Sequence, residues 1–212
     1  MAQNKKLEDN LKENERMFGK WAKTYDATLF QFWMRRFQVP IFREIELKAG
    51  TKILDISCGT GKLLQTLDEK SNGKVQLYGL DLSQKMLDSA RQKLPAAVTL
   101  VRGDVHHLPF EENQFDYVLC TEAFHHYHSQ EKAIAEMKRV VKKNGKVMIV
   151  DINFFSRIIH WLFEKIEPGC VKVNNEKEMS TLFEKNGLPV IKQRRNFIFA
   201  MMTIGRKKDE EK

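Results

Sequence analysis

The order of the apolar segments predicts an α/β protein with a mostly parallel, doubly wound sheet. Short buried-strand patterns alternate with helical patterns from about residue 51 to residue 152. Such alternation places helices on both faces of a parallel sheet. Two strand patterns then follow one another directly, at 189–197 and 198–207, and they predict an antiparallel hairpin at the C-terminal edge of the sheet.

The elements of the parallel part follow from short apolar runs and their end signals. Strands are predicted at 51–56, 74–81, 97–104, 115–122 and 146–152, and a helix follows the first of them at 61–70. Ser83 has the position of an N-cap for a helix at 84–94, which Pro95 ends. Ser129 is expected to cap a helix at 130–143, which ends at Asn144–Gly145.

Helical patterns also flank this core. Residues 8–48 are predicted to be predominantly helical, and amphipathic helices are predicted at 155–166 and 176–185. We therefore divide the chain into an N-terminal helical lid, residues 1–48, and a domain of residues 49–212 with a helical insertion around 153–186. The lid is rich in aromatic residues: Phe18, Trp21, Tyr25, Phe30, Phe32, Trp33 and Phe37.

Length and composition are those of an ordinary folded protein. A chain of 212 residues suits one domain with some elaboration, and 42% hydrophobic with 30% charged residues argues against disorder. No apolar stretch reaches the roughly 18 to 20 residues that a transmembrane helix needs, and no secretory signal opens the sequence. Cys58, Cys120 and Cys170 are too few and too scattered for a disulfide framework or a metal site. We expect a cytoplasmic protein without a bound metal.

The net charge of +8 leaves two interpretations of the surface open. Such an excess attracts nucleic acid or an anionic membrane surface. The basic pairs are dispersed along the chain, however, and this favours an ordinary solvated basic surface. A nucleic-acid partner is therefore retained but not favoured. No pattern in the sequence defines an oligomeric state.

The stretch "DISCGTGK" at 55–62 is a glycine turn that opens a helix. A P-loop would need glycine at Ile56 and a hydroxyl at Leu63, so a triphosphate site is excluded. The dinucleotide fingerprint would need a third glycine at Leu64, which leaves that interpretation weak.

A ribose-bearing ligand without a phosphate cradle fits the turn better. Gly59 and Gly61 let the backbone approach a ligand that a Cβ atom would push away. Asp81, at the end of the second strand, can accept hydrogen bonds from both hydroxyls of a ribose.

At this point the sequence resembles the class I methyltransferases that use S-adenosylmethionine, over about residues 17–205. The resemblance rests on ordered blocks that include "ILDISCGTGKLL", "YGLDLSQKML", "VRGDVHHLPFEENQFDYVLCTEAFHH" and "EMKRVVKKNGKVMIVD". It is closest to the ubiquinone/menaquinone-type and small-molecule members. The resemblance implies a Rossmann-like fold, S-adenosylmethionine as cofactor and methyltransferase activity.

The resemblance also implies roles for individual residues. Asp55 contacts the methionine amino end, Asp81 takes the ribose diol, Leu82 packs against adenine, and Asp104 with the Val105 backbone reads the adenine amino edge. One departure is Ser57, where the family commonly has glycine. We expect the small serine to preserve binding. The expected cofactor-binding set is Tyr25, Asp55, Ser57, Cys58, Gly59, Gly61, Asp81, Leu82, Met86, Asp104, Val105 and Thr121.

Methyl transfer is an in-line displacement in which alignment supplies much of the catalysis. A general base is needed only if the nucleophile must lose a proton. His125 and His126, just beyond the fourth strand, are candidate bases, and Tyr25 is a candidate in the lid. A purely structural role for the histidines is also open. His106 and His107 are expected to be ordinary loop residues.

The acceptor is expected to be a small molecule, lipophilic or aromatic. Two aromatic-rich segments, 17–37 and 153–166, are placed to cover one cleft, and the second supplies Phe154, Phe155, Trp161 and Phe163. The motifs for methylation of base amino groups or cytosine C5 are missing. Two alternatives remain open: an RNA-modifying methyltransferase, and a non-catalytic regulatory protein that binds the cofactor.

Overall fold

The computed structural model describes residues 37–154, 156–196 and 199–209. Its sheet contains β1 (Lys52–Ile56), β2 (Gln76–Asp81), β3 (Thr99–Arg102), β4 (Phe115–Thr121), β5 (Val141–Ile152), β6 (Val190–Asn196) and β7 (Ala200–Arg206). The strand order is β3-β2-β1-β4-β5-β7-β6. The first five strands pair in parallel, whereas β7 pairs antiparallel with both β5 and β6. The predicted fold class and edge hairpin are confirmed.

The helices are α1 (Lys62–Ser71), α2 (Gln84–Arg91), α3 (Gln130–Val140), α4 (Arg157–Ile166) and α5 (Glu176–Lys185), with 3₁₀ turns at Ile41–Arg43 and Phe124–His126. Ser83 caps α2 and Ser129 caps α3, as predicted, because each hydroxyl accepts a backbone N–H of the first turn. Within the described residues, no helix combines the length and apolar character that a membrane span requires.

The prediction that a helix continues to residue 143 is wrong. α3 ends at Val140, and Val141 already belongs to β5, where it pairs with Phe115. Lys142 donates to the Asp116 carboxylate at 2.8 Å, which holds this part of β5 against β4. Long-range pairing therefore overrides the local helical pattern.

Two other predicted boundaries also differ. The helix expected at 84–94 ends at Arg91. Of the helical region expected at 8–48, the described part contains helical residues at 37–38 and the 3₁₀ turn at 41–43, followed by irregular chain. The remainder of that prediction lies outside the described residues.

Alternating side chains divide the core between the two faces of the sheet. One face contains Ile53, Leu119 and Val150 and is covered by α1 and α2. The other contains Leu54, Cys120 and Ile149 and is covered by α3 and α5. The carboxyl ends of the parallel strands meet at one edge, and the strand order reverses between β1 and β4. Ligands bind at such a switch point in open α/β sheets.

Candidate functional site

The loop between β1 and α1 has several residues in the left-handed region. Gly59 has φ 52° and Gly61 has φ 76°. A Cβ on Gly61 would lie 2.7 Å from Leu94 Cδ1, so close packing requires glycine there. A Cβ on Gly59 would meet no atom within 4 Å. The backbone at Gly59 therefore borders open space, where a ligand can approach it.

Ser57, the departure from the family pattern, has φ 59°. This left-handed conformation explains why glycine suits the position, since a Cβ is strained there. The Ser57 hydroxyl lies 2.8 Å from the hydroxyl of Tyr127, whose oxygen also lies 3.3 Å from Cys120 Sγ. The Ser57 side chain, which distinguishes this loop, is thus hydrogen-bonded to the turn beyond β4.

Asp81 ties the glycine loop to the end of β2. Its Oδ2 accepts the Gly59 N–H at 2.9 Å, and its Oδ1 accepts the Ser83 N–H at 2.9 Å. Burial raises the pKa of this carboxyl, and the backbone donors offset part of that effect. The carboxylate therefore has a fixed position at the strand end.

Asp55, on β1, is a buried carboxyl with an unfilled hydrogen-bonding position. Its side chain is 1% exposed, and Oδ1 makes no hydrogen bond with any residue that the structure describes. Burial, together with the charge of Asp81, raises the pKa of Asp55 well above its ordinary value. A buried acceptor without a donor is rare in folded proteins, so this oxygen is suited to a ligand donor.

Asp104 is oriented by a buried histidine. Its Oδ1 lies 2.6 Å from His106 Nδ1 and also accepts the His106 backbone N–H. The Ser129 N–H donates to His106 Nε2, so the ring proton lies on Nδ1, facing the carboxylate. Burial raises the pKa of Asp104, but the hydrogen bonds from His106 outweigh it and bring the pKa to about 2. His106 thus orients the Asp104 carboxylate through its backbone N–H and its ring.

The other expected cofactor residues occupy different environments. The Cys58 thiol packs inside the fold against Gly79, so only the backbone of Cys58 remains at the surface of the loop. Met86 and Val105 are buried, whereas Leu82 and Thr121 are half-buried at the ends of β2 and β4. Tyr25 lies outside the described residues.

A buried ion pair lies at the ends of β4 and β5. His125 Nδ1 lies 2.6 Å from Asp151 Oδ1, and both side chains are almost fully buried. Burial lowers the pKa of His125, but the charge and hydrogen bond of Asp151 outweigh it and raise the pKa above its ordinary value. His126, by contrast, has its pKa lowered to about 4, first by burial and then by His125. The two neighbouring histidines therefore have pKa values shifted in opposite directions.

Glu122 was missed by the sequence analysis. It follows β4 with φ 56°, and its Oε1 is buried without a hydrogen-bond partner among the described residues. Burial, and then the charge of Asp151, raises the pKa of Glu122 to about 8. The available signal was positional: Glu122 and Asp151 are acidic residues at the carboxyl ends of neighbouring parallel strands.

The α4 segment has two different faces. The rings of Phe154 and Phe163 pack against each other at a tilt, with 5.1 Å between their centroids. The centroid of Phe163 lies 6.1 Å from that of the His125 ring. The prediction that Trp161 belongs to this apolar wall is wrong, because this residue is 57% exposed on the outer face of α4. That outer face also exposes Ile158, Ile159, Leu162 and Ile166. Phe155 lies outside the described residues.

Among residues 37–154, 156–196 and 199–209, no group of three histidine, cysteine or acidic side chains is placed to hold a metal ion.

Known proteins resemble the chain along most of its length. A family model described as a methyltransferase domain matches residues 54–149. A demethylmenaquinone methyltransferase of Shouchella clausii is 32% identical over 144 residues, which are 64% of this chain and 61% of that protein. This chain thus spans less than two thirds of that relative. An uncharacterized methyltransferase of a Geobacillus species is 30% identical over 207 residues, covering 89% of this chain and 96% of that protein.

The chain belongs to the class I S-adenosylmethionine-dependent methyltransferases. A solved S-adenosylmethionine-dependent methyltransferase from Aquifex aeolicus has the same fold, with a TM-score of 0.72. It is 21% identical, and the match covers 89% of this chain and 98% of that one. S-adenosylmethionine is the cofactor of this family.

Proposed function

We propose that this methyltransferase transfers a methyl group to a small, apolar, quinone-like acceptor. The observation that carries the proposal is the aromatic pair Phe154 and Phe163, which lies beside the buried His125–Asp151 pair at the ends of β4 and β5. An apolar wall with a few polar groups is typical of small-molecule sites. The similarity to a demethylmenaquinone methyltransferase supports a quinone-like acceptor.

The residues at the other end of the site fit the cofactor. Asp55 Oδ1 would accept a hydrogen bond from the amino group of the methionine part, which supplies the missing donor. Asp81 would accept from the ribose hydroxyls, and Gly59 would allow close approach of the cofactor. Asp104, fixed by His106, would accept from the adenine amino group.

The bound cofactor supplies a methyl group that is activated by a positively charged sulfur. The contribution of the protein is then mainly alignment, because a reaction held at near-attack geometry needs little further assistance. The αL turn at Ser57–Gly61 and the carboxyl group of Asp81 hold one side of the site. The turn that contains His125 holds the other side, where the acceptor would lie between Phe163 and Glu122.

The full chain, incubated with methyl-labelled S-adenosylmethionine, tests this function. We expect label in an apolar product when the acceptor is a short-chain demethylmenaquinol, and none when the acceptor is total RNA. The variant Asp81→Asn, which should not retain the cofactor, is the negative control. Label in RNA alone, or in neither acceptor, would contradict the proposal.

A further inference from the structure

Glu122 has a left-handed backbone conformation directly after β4. Its N–H donates to Val150 O at 2.8 Å, which keeps the backbone attached to β5 while φ takes the value 56°. A left-handed non-glycine residue is uncommon, and such residues cluster at functional sites. The residue as a whole is half-buried, but Oε1 is shielded from solvent and has no hydrogen-bond partner among the described residues.

Among the described residues, the charged group that acts on Glu122 is the carboxylate of Asp151. Oδ1 of Asp151 is already hydrogen-bonded to His125 Nδ1. His126 lies on the same turn as His125. In the loop after α4, Glu167 is a further acidic residue that acts on His125, and burial together with the charge of Asp151 raises the pKa of the Cys170 thiol to about 12. A second carboxylate in this place is therefore costly unless it holds a proton.

We propose that Glu122 is the acceptor-hydroxyl site of this methyltransferase, where Oε1 receives the proton of an uncharged aromatic hydroxyl. The proposal rests on the proposed function. In its ionised form the Glu122 carboxylate only accepts hydrogen bonds, so Oε1 can receive the O–H of a hydroxyl group but offers no donor to a carboxylate. The negative charge of Asp151 disfavours acceptors that carry a carboxylate. The site therefore selects phenols and hydroquinones over aromatic acids of the same shape.

The transfer then balances as follows. The O–H bond of the acceptor breaks and its proton goes to ionised Glu122 Oε1. The electron pair remains on the acceptor, which uses it to form the bond to the methyl carbon. The sulfur keeps the electron pair of the broken carbon–sulfur bond and becomes neutral. The proton later leaves Glu122 for water. Since burial and Asp151 raise the pKa of Glu122 to about 8, the group is poised to exchange a proton near neutral pH.

Binding tests the site without requiring turnover. The probes are 1-naphthol and 3-hydroxy-2-naphthoate, titrated into the full chain saturated with S-adenosylhomocysteine and followed by naphthol fluorescence. We expect the wild type to bind the uncharged naphthol at least tenfold more tightly than the acid. Glu122→Ala should lose at least tenfold in naphthol affinity, whereas Glu69→Gln, an exposed site on α1, should lose none. Equal affinities for both probes, or an unaffected Glu122→Ala, would overturn the proposal.

Measurements of turnover provide a second test of the proposal. With a naphthohydroquinone acceptor, kcat/KM of the wild type should rise with pH through about 8. Glu122→Gln preserves shape and should lower kcat/KM by about 100-fold or more and abolish this rise. A wild-type rate and pH profile in Glu122→Gln would overturn the proton role. If naphthol binds selectively but no acceptor is methylated, the proposed function fails while the hydroxyl site stands.

Discussion

The hydroxyl of Ser57 lies 2.8 Å from the hydroxyl of Tyr127, which joins the cofactor loop to the turn that bears His125 and His126. Tyr127 is buried, so its hydroxyl depends on Ser57 and Cys120 for hydrogen bonds. The residue that departs from the family's glycine therefore connects the two halves of the site.

The stability of Ser57 variants should reveal two opposing effects. Ser57→Gly loses the hydrogen bond to Tyr127, worth about 1 kcal/mol, but also removes the strain of a positive φ, which is of similar size. Ser57→Ala loses the bond and keeps the strain. We expect Ser57→Ala to be less stable than Ser57→Gly by about 1 kcal/mol in urea unfolding. The explanation is wrong if the alanine variant is the more stable one.

Substitution of Asp81 should mainly weaken cofactor binding. Asp81→Asn removes the charge that would accept the ribose hydroxyls, and a hydrogen bond to a charged group is worth roughly 1.5–3 kcal/mol. Calorimetry with S-adenosylhomocysteine should show an affinity loss of about 100-fold or more. Asp88→Asn, an exposed change on α2, is the matched control. Similar affinities for the two variants would refute the assignment of Asp81.

The two glycines of the loop should respond differently to alanine. Gly61→Ala places a Cβ within 2.7 Å of Leu94 and should destabilise the fold by roughly 2–3 kcal/mol, through overpacking and positive φ together. Gly59→Ala meets open space, so its stability loss should be limited to about 1–2 kcal/mol. Its larger effect should be on cofactor affinity. Thermal unfolding with and without S-adenosylmethionine separates the effect on stability from the effect on cofactor affinity. Equal effects in the two variants would contradict the packing explanation.

Glu122 should make the protein less stable as the pH rises. Its pKa is raised from 4.5 to about 8, so the folded state holds a proton that the unfolded state releases, and stability falls across this window. The lowered pKa of His126, about 4, has the opposite effect, but only below about 6.5.

Thermal unfolding of wild type and Glu122→Gln between pH 6.5 and 8 therefore isolates Glu122. We expect the midpoint of the wild type to fall more steeply than that of the variant, which should be the more stable protein at pH 8. Parallel curves would show that the Glu122 carboxyl is not held in its protonated form.

Much of the sheet could be predicted from sequence because its strands are buried on both faces and read as short apolar runs. The turn residues Ser83 and Ser129 were equally informative, since each hydroxyl has one obvious backbone partner. The start of β5 was not predictable in this way. The segment "VVKKNG" resembles a helix end, and only pairing with Phe115 and the Asp116 carboxylate makes it a strand.

The candidate site divides along similar lines. Gly59, Gly61 and Asp81 follow from local spacing, and in the structure the Gly59 N–H donates to the Asp81 carboxylate. Glu122 and the partner of His125 could not be assigned, because their environment depends on burial between β4 and β5. The anchoring of Asp104 by His106 likewise depends on Ser129, which lies 23 positions beyond His106 in the chain.

The edge strand β6 bears on how molecules of this protein meet in solution. It exposes Lys192, which pairs with Glu44, together with Arg194 and Arg195, and like charges brought opposite one another resist the addition of a strand from a second molecule. Part of the net charge of +8 thus opposes aggregation through the β6 edge of the sheet. On α4, exposed Arg157 and Lys165 likewise adjoin the exposed side chains of Ile158 and Ile166. In concentrated solution, contacts between molecules should therefore be weakened by added positive charge and strengthened by salt, which screens it.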